Sequence, residues 1–168
     1  LYVLFAAFAI VAASNGVIHR IDKVILPADK NIVQTALAVS RFSILAEAVV
    51  AANLQGTLSG AGPLTVFAPN NTAFANLLVE LGVSKADLLK NVDLLTKVLT
   101  YHVVPGRVLK ADIQTDRPIT TAQGETFLID RVFAITDQRT RRSNIAATDI
   151  FTSNGVVHEI DKVILPRP

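Results

Sequence analysis

The chain contains no cysteine, no methionine and no tryptophan in its 168 residues. Without cysteine it cannot carry a disulfide scaffold, a thiolate zinc site or a cysteine nucleophile. The redox compartment stays open, because a cysteine-free chain works in either environment. The missing methionine makes residue 1 something other than a translation start, so a targeting sequence is expected upstream. Acids are dispersed and nominate no carboxylate pair. Histidines occur only at 19, 102 and 158, without metal-ligand spacing. There is no Gly-x-Ser-x-Gly elbow, and Gly56, Gly60 and Gly62 lack the Lys-Ser/Thr of a phosphate loop. These absences point to a non-enzymatic chain without metal or cofactor. A hydrolase is the weakest alternative.

Charge is also scarce. Only 18% of residues are charged and the net charge is +2, with a pI near 9.1. That is too mild an excess for a nucleic-acid binder. No apolar run reaches the roughly 20 residues of a membrane span. What remains is 51% hydrophobic, with mean hydropathy +0.44. This composition suits one globular domain with a substantial core and excludes a disordered tail.

Part of the chain repeats. SNGVIHRIDKVILP (14–27) returns as SNGVVHEIDKVILP (153–166), differing only at Ile18/Val157 and Arg20/Glu159. The separation is a whole domain, longer than a solenoid repeat. Residues 1–27 therefore read as the C-terminal strand tail of a preceding copy, and 28–168 as a complete unit. The apolar 1–13 also resemble a leader remnant, but they run directly into the repeated segment. Strands severed from their sheet seek a partner edge. Residues 14–27 are thus expected to add to another sheet edge, in this chain or by self-association. Deleting 1–27 should leave the remainder folded.

Within 28–168, helical patterns come first. Asn31 and Ser43 are placed to cap helices, and glycines at 56–62 mark a loop. A short apolar strand spans 64–68. Asn70 precedes a helix whose Phe74, Leu77, Leu78 and Leu81 share one face. Ser84 opens a capping-box pattern with Asp87. A further helix over 92–100 leads into a strand at 101–104. Strand signals then dominate: 119–121 and 126–129 around Gln123-Gly124, then 132–136, then 144–151 and 156–165 around Ser153-Asn154-Gly155. Helices first and strands later make an α+β fold.

Three segments together resemble the fasciclin-like (FAS1) family. Residues 65–74, with Thr65, Phe67, Pro69, Asn70 and Phe74, look like its first signature. Residues 101–106, with Tyr101 and His102, look like its Tyr-His motif. Residues 153–166, with Asn154, Gly155, His158 and Asp161, look like its second signature. The resemblance covers 30–166, and tandem copies are common in the family. It implies a wedge: a twisted β-sandwich with a layer of helices packed on it. It also implies a secreted, cell-surface or periplasmic adhesion module that binds a cell-surface or matrix protein or an acidic polysaccharide. The lack of cysteine leans toward a microbial or plant-type member. The alternative is a secreted or periplasmic module that binds polyanions or a small ligand.

Candidate residues follow. On a strand His158 shares a face with Val156, Ile160 and Ile164 and is expected to tie down backbone in the core. The resemblance implies a structural role for His102 in the Tyr-His motif. Arg139, Arg141 and Arg142 form the only basic cluster, read as a solvated loop or an anion contact. Asn70-Asn71-Thr72 matches a glycosylation pattern, yet Asn70 is needed as a helix cap. By resemblance, Asp149-Ile150 occupies the place of an Asp-Ile pair implicated in receptor contact. A strand Ile there is expected to face the core, leaving Asp149 a structural task.

Overall fold

A computed structural model describes residues 10–19 and 28–168. The rest of the segment 1–27 lies outside the described residues. At the N-terminus β1 (Ile10–Ala13) and β2 (Gly16–His19) pair antiparallel, closing on an exposed Ser14-Asn15 turn. They form a separate two-stranded sheet. The expected addition to another edge within the chain is therefore not seen among the described residues.

The helices begin where the sequence supplies caps. Asn31 accepts from the Gln34 N–H and the Gln34 side chain accepts from the Asn31 N–H, starting α1 (Ile32–Ala38). A 3-10 turn, Ser40–Phe42, then leads into α2 (Ser43–Ala51). Ser43 is the first helical residue and not its cap. Asn71 takes that task from a distance, accepting the Ile44 N–H at 3.1 Å. The glycine-containing stretch after α2 is partly helical, as α3 (Gln55–Ser59). Strand β3 (Leu64–Pro69) follows. Next come α4 (Asn71–Leu81), capped by Asn70, α5 (Lys85–Lys90), capped by Ser84, and α6 (Val92–Tyr101), capped by Asn91. Gly82 closes α4 with φ +64, the left-handed conformation that favours glycine.

Tyr101 ends α6 and His102 caps it, so the strand expected at 101–104 shrinks to β4 (Val103–Pro105). A 3-10 turn, Lys110–Asp112, precedes β5 (Pro118–Thr120), β6 (Thr126–Ile129), β7 (Ala134–Thr136), β8 (Arg142–Thr152) and β9 (Gly155–Ile160). The last strand stops at Ile160, five residues short of the expected end. Beyond it, buried Val163, Ile164 and Leu165 run without strand pairing.

Seven strands form one sheet in the order β4-β3-β9-β8-β7-β6-β5. The β3–β9 pair is parallel and the other pairs are antiparallel. Strand β8 belongs to both halves of the fold. Arg142 to Asn144 pair with β7, whereas Ile145 to Thr152 pair with β9 through two register shifts. Such irregularities bend a strand and let one sheet turn into a second layer. The far end nearly closes, because the Ala122 N–H donates to the Val103 carbonyl at 2.7 Å.

Side-chain alternation divides the core in two. Val66, Ala68, Val103 and Val157 pack under the helices with Phe74, Leu77, Leu95, Val98 and Leu99. Phe67, Val104 and Ile160 face the other way, into the curled sheet, with Phe127, Ile129, Ile135 and Ile164. The result is the α+β wedge: a bent sheet with a helical layer on one side.

Candidate functional site

The two histidines of 28–168 are buried and each bridges two backbone segments. His102 Nδ1 donates to the Val98 carbonyl at 2.8 Å, and its Nε2 accepts the Ile164 N–H at 3.1 Å. His158 Nε2 donates to the Val108 carbonyl at 2.9 Å, and its Nδ1 accepts the Asp149 N–H at 3.2 Å. Each ring must stay neutral to do this, since protonation would set N–H against N–H. Burial pushes His102 down to about 4 and lowers His158 in the same direction. Tyr101 is likewise committed. Its hydroxyl donates to the Thr126 carbonyl at 2.8 Å, and burial holds it in the phenol form. These rings are occupied as structural bridges, which leaves no free base among them.

The signature residues behave alike. Thr65 Oγ1 donates to the Gly106 carbonyl and accepts the Val108 N–H. Asn70 caps α4 by accepting the Ala73 N–H at Oδ1, while its Nδ2, the sequon nitrogen, donates to Glu159 Oε1 at 3.1 Å. Glu159 also holds Arg41, with Nε to Oε2 at 2.7 Å. Asp161 accepts from the Asn144 backbone and side chain. Asn154 joins three elements: its Oδ1 accepts the Ile32 N–H, while its Nδ2 donates to the Leu58 and Gly60 carbonyls. Gly155 is required at that turn. A Cβ there would lie 1.9 Å from the Leu64 carbonyl oxygen.

The proposed contact residues do not converge. Asp149-Ile150 and Arg142 lie toward opposite ends of β8, on either side of its two register shifts. Asp149 sits at the bulge with φ +59 and accepts the Lys110 N–H at 2.8 Å, starting the 3-10 turn. Ile150 is half-buried and packs on the helix-side core. Asp149 thus ties β8 to the start of that turn.

The arginines depart from expectation. Arg142 lies within β8, and none of the three is merely solvated. Arg139 Nε donates to the Pro166 carbonyl, and Arg142 pairs with Asp130. Arg141 donates to the Val163 carbonyl and to Glu80 at 2.7 Å, with its side chain only 18% exposed. Beneath them Asp137 is fully buried, accepting the backbone N–H groups of Arg139, Arg141 and Leu165. This clamp on the C-terminal tail went unread in the sequence. The Asp-x-Arg-x-Arg spacing signals a turn but gives no hint of Leu165. Changing Arg139, Arg141 and Arg142 together to Ser, neutral for a solvated loop, should therefore lower the melting temperature. Arg141→Ala alone should cost about 2 kcal/mol through unpaired buried groups. Urea denaturation checks this, and a midpoint within error of wild type would refute the clamp.

The Fasciclin-domain family profile matches residues 40–166. Protein sll1483 of Synechocystis sp. is 42% identical over 138 residues, covering 80% of this chain and 73% of that protein. Protein sll1735 of the same organism, described as uncharacterized, is 38% identical over 135 residues, covering 80% of this chain and 97% of its own length. Among solved structures, a FAS1 domain pair from the insect cell adhesion molecule fasciclin I superposes with TM-score 0.72 at 16% identity, over 92% of this chain and 57% of that one. At that identity the likeness is one of fold.

Proposed function

This chain belongs to the fasciclin-domain family, and from that premise we propose that it is an adhesion module, secreted, at the cell surface or in a periplasm. It binds a cell-surface or matrix protein, or an acidic polysaccharide, and performs no catalysis. The carrying observation is that His102, His158, Asn154 and Asp161 are all occupied in holding the backbone. The signature segments are then a frame, and partner contact falls to exposed side chains. The structural neighbour's origin in a cell adhesion molecule supports the same reading. Arg139 and Arg142, the exposed members of the basic cluster, are the contact a polysaccharide would use. Asp149 and Ile150 serve the frame.

The test immobilises the full chain and measures retention of matrix extract and of heparin, against an unrelated protein of equal net charge. Retention above that control is expected, and its absence on every surface would overturn the reading. Salt-sensitive heparin retention lost in Arg139→Ser with Arg142→Ser would assign the partner to polysaccharide. Asp149→Ala should lower stability by about 1–2 kcal/mol, from the lost Lys110 bond and a left-handed φ. Asp149→Asn keeps the acceptor and tolerates that φ, so it should melt near wild type. Retention should track folding in both. Lost retention in a normally melting Asp149→Asn protein would make Asp149 a direct contact.

A further inference from the structure

The two copies of the repeated segment differ at positions that share one face. In β9, Val156, His158 and Ile160 point into the curled sheet, where His158 lies against the Phe67 ring at 5.3 Å and Ile160 joins the inner core. The N-terminal copy carries the same side chains there, as Val17, His19 and Ile21. Val157 and Glu159 point to the helical layer, and these are the residues that change, to Ile18 and Arg20. The hairpins correspond in register over the three pairs next to the turn and part at Ile10–His19, whose counterparts Asp149 and His158 lie at the β8 bulge. Ala13 pairs with Gly16 and Val11 with Ile18, as Thr152 pairs with Gly155 and Ile150 with Val157. In backbone pairing next to the turn and on its sheet-facing side, the N-terminal copy fits the β9 slot.

On the other side it does not. Glu159, 11% exposed at its side chain, meets Arg41 Nε at 2.7 Å and Asn70 Nδ2 at 3.1 Å. Both partners are donors. An arginine in that place adds a guanidinium, which has donors only. Donor would then face donor with two cations together in a half-buried site. The Ile18 methylene would further crowd the closely packed Val157 position.

We propose that the Arg20/Glu159 difference sorts the two copies. The β9 slot of the complete unit takes the glutamate copy and refuses the arginine copy. Residues 10–27 belong instead in a fasciclin-type unit that presents an acid where this one presents Arg41. Tandem chains with near-identical strands risk exchanging them during folding. A charge unfavourable to the wrong partner prevents the exchange without altering the shared sheet face.

The test uses the full chain, denatured in urea and refolded at high concentration. Dimer is measured by light scattering, and strand placement by a disulfide between Ile18→Cys and Val66→Cys. Val66 is the β3 partner of Val157, whose counterpart is Ile18, and the chain has no other cysteine. The parent should be monomeric without the 18–66 bond. Arg20→Glu, which lies outside the complete unit and does not threaten its folding, should give several-fold more dimer carrying that bond. Arg41→Glu with Arg20 in place should give more dimer still, because the slot then favours the arginine copy, and adding Arg20→Glu to it should bring the dimer back to the level of Arg20→Glu alone. Arg20→Glu behaving like the parent, or the 18–66 bond forming in the parent, would overturn the proposal.

Discussion

Asn154→Ala is expected to cost about 3 kcal/mol, a large share of the 5–15 kcal/mol that holds a domain of this size. The amide joins elements remote in sequence. It accepts the first N–H of α1 at 3.0 Å and donates to the carbonyl groups of Leu58 at 2.8 Å and Gly60 at 3.0 Å. Alanine leaves all three unpaired and frees the β8–β9 turn from the helical layer. Asn154→Asp separates the two halves of the effect. It keeps the acceptor for Ile32 but sets a carboxylate against two carbonyl oxygens, so it should be at least as damaging. Denaturant midpoints decide this, and an Asn154→Asp protein as stable as wild type would remove the donor bonds from the account. Asn15 holds the matching place in β1–β2, where it is exposed at the turn.

Acid should destabilise the protein from about pH 6.5 downward, through its buried histidines. An unfolded histidine has a pKa of 6.5, whereas His102 in the fold lies near 4 because burial disfavours its charged form. A group whose folded value is depressed contributes its stability in full above the unfolded value. That contribution is lost as pH falls from about 6.5 toward 4. The span corresponds to about 3 kcal/mol from His102 at full effect. His158 adds a loss of the same sign, since burial lowers it too. Urea midpoints between pH 7.5 and 5 give the diagnostic window. Wild type should weaken steadily there, and His102→Gln should be less stable at pH 7.5 but show a flatter slope. An equal slope in both would mean that His102 is not the proton acceptor coupled to unfolding.

Local chemistry was legible in the sequence and remote chemistry was not. Asn31, Asn70 and Ser84 reveal themselves because a cap's partner lies three residues away. The hairpin at Asn154-Gly155 and the helix-then-strand order were readable for the same reason. The start of α2 was misassigned because its capping side chain, Asn71, comes from the far side of β3. The overlong β9 arises because apolar residues resume at Val163 after Asp161-Lys162, and the pattern alone does not mark the break. Asp161 ends the pairing by turning its carboxylate to Asn144. The arginines read as solvated because nothing nearby in sequence shows that Arg141 reaches Val163 and Glu80. At Asp149-Ile150 a strand Ile is expected to face the core, and Ile150 packs on the helix-side core, but nothing local signals the bulge that places Asp149 over Lys110.

The placement of β9 also fixes how the unit bears tension. Its N-terminal entry is tied to the start of β9, where the Ser153 N–H donates to the Lys30 carbonyl at 2.9 Å. At the opposite end of that strand the chain continues into residues 161–168, held at Leu165 by Asp137. A pull on the two ends therefore runs along β9, between parallel β3 on one side and antiparallel β8 on the other. Interstrand bonds lying across the line of force are sheared together, whereas a hairpin pulled from one end opens rung by rung. Before β9 can slide, the Asp137 and Arg141 bonds to Leu165 and Val163 must also yield. Resistance of this kind is set by an unfolding rate under load and not by equilibrium stability, so a destabilised variant can still hold if its shear plane is intact.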